Sequence, residues 1–117
     1  MKVPFQVLAD LDRVIHEPAR LAITSALSAC QSADFLFLQR LTGLTKGNLS
    51  SHLATLEDAS FVAIEKSFSG KTPVTRVALT TAGRGAIASY WRRLDETRAS
   101  IRDWRPHPGL AARDGLG

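Results

Sequence analysis

Read for hydrophobic position alone, the chain opens with Val7, Leu8, Leu11, Val14 and Ile15 at steps of three and four, the spacing of one apolar stripe on a helix. This predicts a first helix over residues 5–16, closed by Glu17-Pro18. Pro18 suits the first position of a second helix. That helix, ARLAITSALSAC, places Ala19, Ala22, Ile23, Ala26, Leu27 and Cys30 on one side. Ser32 or Asp34 is placed to cap a short third helix, FLFLQRL, which Gly43 ends. Leu44 and Leu49 bracket Thr45 as a hydrophobic staple, and Thr45 is the expected N-cap of a fourth helix over 45–58.

After Ser60 the period changes. FVAIEKSF and VTRVAL read as two strands joined by SGKT, a short connection whose Gly70 fits a hairpin. Val62 and Ile64 alternate inward, matched by Val77 and Leu79, and Pro73 lies at the entry of the second strand, where a sheet tolerates it. Thr80 or Thr81 caps a last helix running to about Trp104, and RPHPGLAARDGLG has no period. The expectation is a mainly helical fold with one small β-hairpin, a domain over 1–104 and a flexible tail over 105–117. Short helix, glycine-containing turn and second helix form a helix-turn-helix, and the hairpin after it makes a winged helix.

The fourth helix carries the functional signal. At about 100° per residue, Leu49, Leu53 and Leu56 fall together toward the core. Gly47, Asn48, Ser51, Ala54, Thr55 and Asp58 face outward with Ser50 beside them, and Lys46 and His52 lie on the shoulders. The outer face is small and polar, which a helix entering the major groove needs, and Asn48 is suited to pair bidentately with adenine. No acid occupies the first turn. Lys46 attracts phosphate, and Gly47 lets an anion approach the free N–H groups and the positive end of the helix dipole.

Charge adds to this picture. The 117 residues carry a formal net charge of +4. No acid lies from Phe35 to Leu56 or from Lys66 to Leu94, and the second stretch holds Lys66, Lys71, Arg76, Arg84, Arg92 and Arg93. The hairpin thus gains a basic, glycine-containing tip, with Lys71 and Thr72 at the turn and Lys66 and Arg76 on its flanks. Such a tip follows the sugar-phosphate backbone or enters a minor groove. Expected DNA-binding residues are Thr45, Lys46, Gly47, Asn48, Ser50, Ser51, Thr55, Lys66, Lys71, Thr72 and Arg76.

In the last helix Ile87, Leu94 and Ile101 are spaced by seven, as are Tyr90, Thr97 and Trp104, and Trp91 widens the stripe. The spacing predicts a short heptad-like seam. A helix of about 25 residues, near 37 Å long, outruns a three-helix core, so its far half calls for a partner. The expected homodimer interface is Val7, Leu11, Ile87, Tyr90, Trp91, Leu94, Ile101 and Trp104.

Several function classes are disfavoured. A single cysteine makes no internal disulfide, and Cys30 is expected to be a buried small hydrophobe. His16, His52 and His107 lack ligand spacing, so neither metal nor cofactor is expected. No phosphate loop, nucleophile elbow or carboxylate cluster points to an enzyme. No apolar run is long enough to span a membrane, and acids interrupt the N-terminus before a secretory signal develops, so a cytoplasmic protein is expected.

Three segments, LDRVIHEPARLAI, FLFLQRLTGLTKGNLSSHLATLEDASFVAIEKSFSGKTPVTRVALTTAGR and the helix after them, resemble the small winged-helix transcriptional regulators of the ArsR/MarR-like type. The resemblance spans roughly residues 8 to 95, and LTKGNLSSHLATLE followed by FSGKTP is its most specific part. It implies a fourth helix that reads the major groove, a wing on the DNA backbone, and a homodimer built from the first and last helices. Lys46, Asn48, Ser50, Ser51 and Lys71 take those contact roles. The cysteine pair of ArsR-type metal sensors has no counterpart here. The readings to be separated are a homodimeric regulator binding double-stranded DNA, a winged-helix assembly module with no nucleic-acid affinity, and an RNA-binding winged helix. For the last, no exposed aromatic stacking platform is evident. The operator, the sign of regulation and any effector are not legible.

Overall fold

The computed structural model describes residues 3–106. Five helices and three strands follow in the order α1 (Pro4–Ala9), α2 (Pro18–Ser28), β1 (Ala33–Asp34), α3 (Phe35–Thr42), α4 (Lys46–Asp58), β2 (Val62–Ser69), β3 (Thr72–Leu79) and α5 (Thr81–Asp103). The expected tail over 105–117 lies almost wholly outside the described residues, as does His107.

The first helix is shorter than its apolar stripe predicts. It stops at Ala9 because Asp12 organises a turn instead: its Oδ1 accepts the N–H groups of Val14 at 2.8 Å and Ile15 at 3.1 Å. Asp side chains compete with helix in this way. Leu11 and Ile15 still reach the core, 5% and 0% exposed, but from a turn, while Leu8 of α1 remains exposed. In α2 the buried residues are Ile23, Thr24 and Leu27, whereas Ala22 is exposed. Cys30 falls beyond the helix end and is half-buried rather than buried.

The sheet has three strands rather than the two of a hairpin, in the order β1-β3-β2. Ala33 and Asp34 pair with Val77 and Arg76. Asp34 also caps α3, its Oδ1 accepting the Phe37 N–H at 2.7 Å, and Gly43 ends that helix at φ +70°. β2 has the predicted length but lies one residue later, and β3 begins two residues earlier than the apolar pattern predicts, so the hairpin pairs from Val62↔Leu79 to Ser69↔Thr72. The turn is therefore the two residues Gly70 and Lys71, and Gly70 supplies the positive φ of 64° that such a turn needs. Pro73 pairs with Phe68 inside β3. It is tolerated because β1 covers only Arg76 and Val77, leaving β3 an edge strand at Pro73.

Two junctions fix α4 and α5 against the sheet. Past the C-cap of α4, Ser60 takes φ +63°. The Ser60 N–H then donates to Glu57 O and the Phe61 N–H to Leu56 O, both at 2.9 Å, the two bonds of a Schellman motif. Thr80 caps α5: its Oγ1 accepts the Gly83 N–H at 3.0 Å and donates to Ser60 O at 2.6 Å. Its own N–H donates to Phe61 O at 3.0 Å. Gly83 is buried against that same carbonyl, and a Cβ there would overlap it.

Ile23 and Leu27 of α2, Leu38 of α3, Leu49, Leu53 and Leu56 of α4, Val62, Val77 and Leu79 of the sheet and Ile87 and Tyr90 of α5 form one core cluster with Leu11, Ile15 and Ala33. Burial of this kind is the main source of stability, and here it anchors α4 by three leucines, so its opposite face is held outward.

Candidate nucleic-acid interface

Thr45 sits in extended geometry and its Oγ1 accepts the Asn48 N–H at 3.2 Å. One of the free donors of the first turn is thereby satisfied and the others stay open. Leu49, Leu53 and Leu56 are 0%, 3% and 0% exposed. Lys46, Gly47, Asn48, Ser50, Ser51, Ala54 and Thr55 are all exposed. The first turn has no acid, and a Cβ on Gly47 would meet nothing within 4 Å. Packing inside the chain therefore does not account for the glycine. Thr55 is partly engaged, its hydroxyl donating to Ser51 O at 3.4 Å.

Alternation along the hairpin decides which wing residues look toward α4. Lys66 shares a face with Ile64, Val77 and Thr75, while Glu65 and Arg76 share the other. A cleft of about 600 Å³ opens between α4, the wing and the start of α3. Lys46, Ser50 and Ala54 lie on one wall, Lys66, Thr72 and Thr75 on the other, and Leu53, Ile64 and Pro73 contribute apolar surface. Glu57 also lines it, about 16 Å along the helix from Lys46 at 1.5 Å per residue. Lys71 stands at the exposed turn. Arg76 does not join this group: it lies on the opposite face, and its Nη1 donates to Ser32 Oγ at 3.3 Å.

On the other shoulder of α4 the structure shows a contact that the sequence does not reveal. His52 Nδ1 lies 3.3 Å from Glu17 Oε2 and 3.2 Å from Arg20 Nη1. Glu17 is the N-cap of α2, accepting the N–H groups of Ala19 at 2.7 Å and Arg20 at 3.3 Å. Arg20 Nε donates to Val14 O at 2.6 Å. Burial pushes the Glu17 carboxyl up, but the bonds from Ala19 and Arg20 and the electrostatic pull of the neighbouring His52 and Arg20 side chains outweigh it, holding it below its ordinary value. The partners are 32 and 35 residues apart, so no local spacing signals them.

The expected dimer residues divide into two groups. Leu11, Ile87 and Tyr90 are 5%, 2% and 4% exposed within the chain itself, so they belong to its own core, and Tyr90 Oη is bonded to His16 Nδ1 at 2.8 Å. Trp91 and Trp104 are exposed, and Val7, Leu94 and Ile101 are half-buried. The far half of α5 is also not bare. α1 packs along it, and the Phe5 ring meets Trp104 edge-on at 5.1 Å. Val3, Phe5 and Leu8 of this short segment remain exposed, as do Trp91 and Trp104.

A helix-turn-helix whose second helix, α4, turns a polar face outward, followed directly by a wing, defines a winged-helix regulator. Residues 19–97 match the family described as winged helix DNA-binding domain, and the chain belongs to that family. It is 31% identical over 78 residues to an uncharacterized protein of Methanocaldococcus jannaschii, covering 67% of this chain and 85% of the relative. A transcriptional regulator homologue from Pyrococcus horikoshii superposes with a TM-score of 0.76 at 26% identity, covering 89% of this chain and 100% of that one. Two further structures share the fold. A MarR-family regulator from Silicibacter pomeroyi has a TM-score of 0.60 at 18% identity over 92% of this chain and 71% of its own. Ligand-free MarR from E. coli has a TM-score of 0.61 at 17% identity over 86% and 82%. The fold is therefore MarR-like. Among the described residues no group of three or more His, Cys, Asp or Glu is arranged to hold a metal, and no helix is long and apolar enough to cross a membrane.

Proposed function

We propose that the protein is a sequence-specific regulator of transcription that binds double-stranded DNA as a homodimer in the cytoplasm, with no catalytic role, from a working unit over residues 1–104. The observation that carries this reading is the first turn of α4: exposed, free of acids, bearing Lys46 and a glycine that no internal packing requires. An acid there would stabilise the isolated helix through its dipole, and its absence is what a phosphate-binding helix start needs.

Asn48, Ser51 and Thr55 face the base edges. Lys46, Ser50, Lys66, Lys71 and Thr72 hold the backbone where it passes between α4 and the wing. Three buried leucines fix the helix from behind, and the His52–Glu17 contact braces its side, so its orientation does not depend on DNA. The partner copy covers the exposed apolar surface of α1 and α5. Two recognition helices then address half-sites about one DNA turn apart, ~34 Å, on a pseudo-palindrome.

The test is a mobility-shift titration with DNA from upstream of the protein's own gene at two salt concentrations. Retardation that outlasts nonspecific competitor and weakens steeply with salt supports the reading. Binding no tighter than to competitor contradicts it.

A further inference from the structure

Phe68 is 73% exposed, the highest value of any large hydrophobic among the described residues. It stands two residues before the Gly70-Lys71 turn, across from Pro73. Register places it on the face of Lys66 and Ile64, the face turned toward α4, while Glu65 lies on the other side. The wing tip therefore offers an aromatic ring beside a proline, with Lys66 on the same face, Lys71 at the turn and no acid between Lys66 and Lys71.

We infer that Phe68 is an apolar wedge that enters the minor groove flanking the site read by α4, pressing on the deoxyribose walls and base edges while Lys66 and Lys71 hold the phosphates on either side. This rests on the DNA-binding reading and adds to it a specificity-determining contact on the wing. Charge selects the occupant: the ring is framed by cations, which suits the deoxyribose walls of a groove that runs between two anionic ridges. Size argues against a protein partner. Phe68 and Pro73 at a hairpin tip form a small patch, far below the roughly 800 Å² per side of a stable protein interface. Apolar side chains from a minor-groove element unstack base steps and prefer a groove without the guanine amino group on its floor.

The test uses the full chain and the upstream duplex that wild-type protein retards, with Phe68→Ser and Phe68→Leu. Phe68→Ser loses about tenfold in affinity, the scale of burying a phenyl ring, with an unchanged salt slope because no phosphate contact is removed. Phe68→Leu retains most of it. Replacing flanking G·C pairs by inosine·C strengthens wild-type binding and leaves Phe68→Ser indifferent. Equal affinity of wild type and Phe68→Ser, or an equal response of both to inosine, overturns the wedge and leaves DNA binding intact. A wild-type protein that retards no duplex overturns the DNA reading and the wedge with it.

Discussion

His52 on α4 and Glu17 at the start of α2 meet at 3.3 Å, joining the candidate recognition helix to the N-cap of its neighbour. Glu17 thus caps α2 and braces α4 at once. Its carboxyl is held below the ordinary glutamate value, so the charged form is favoured by folding. The resulting stabilisation is fully present above the unfolded value, about 4.3, and is lost as pH falls through the lower folded one. Glu17→Gln should cost about 1 kcal/mol near neutral pH, the scale of a lost cap. The gap from wild type should close below pH 4 in urea titrations.

Gly83 and Gly85 lie two residues apart in α5, yet alanine should act oppositely at them. At Gly83 a Cβ runs into the Phe61 carbonyl, and overpacking of this kind costs about 1–3 kcal/mol. At Gly85 a Cβ meets nothing within 4 Å, and helix propensity favours alanine by up to ~1 kcal/mol. Thermal or urea denaturation of the two variants decides between them.

Ser60 holds the left-handed position of a Schellman motif without being glycine. Ser60→Gly should raise stability by about 0.5–1 kcal/mol, since relief of the left-handed backbone outweighs the added freedom of the unfolded chain. An unchanged denaturation midpoint would show that the Schellman bonds already absorb the cost.

Leu8 is exposed on α1 beside the Phe5–Trp104 pair. Leu8→Asp should leave the circular dichroism spectrum unchanged and give monomers in sedimentation. A surviving dimer would place the interface elsewhere. Leu94, which packs partly against the core, is a poorer probe because aspartate there disturbs the monomer.

Where several signals agreed, the sequence was readable. In α4 the Thr45 cap, the leucine spacing and the polar outer face belong to one segment, and all three hold in the structure. Where a feature depends on distant partners it was not. The two-residue β1 exists only because Val77 and Arg76 offer it a ladder. The seven-residue spacing in α5 joined residues of unlike fate, since Ile87 and Tyr90 turn into the chain's own core while Trp91 stays exposed. Asp12 overrode the first helix by bonding its own backbone, a local competition that apolar spacing does not register. The sequence reads Arg76 as a wing cation, and only strand register shows that it lies on the far face, beside Ser32.

The central claim is that the first turn of α4 forgoes its own stabilisation to accept DNA, and Gly47→Glu tests it most directly. The site is open, and a glutamate there gains about 0.3–1 kcal/mol from the helix dipole in addition to losing the glycine penalty. Melting temperature and affinity for the upstream duplex, measured on the same protein, should move in opposite directions: a more stable protein that no longer binds. A Gly47→Glu protein that binds the duplex as tightly as wild type would contradict the account.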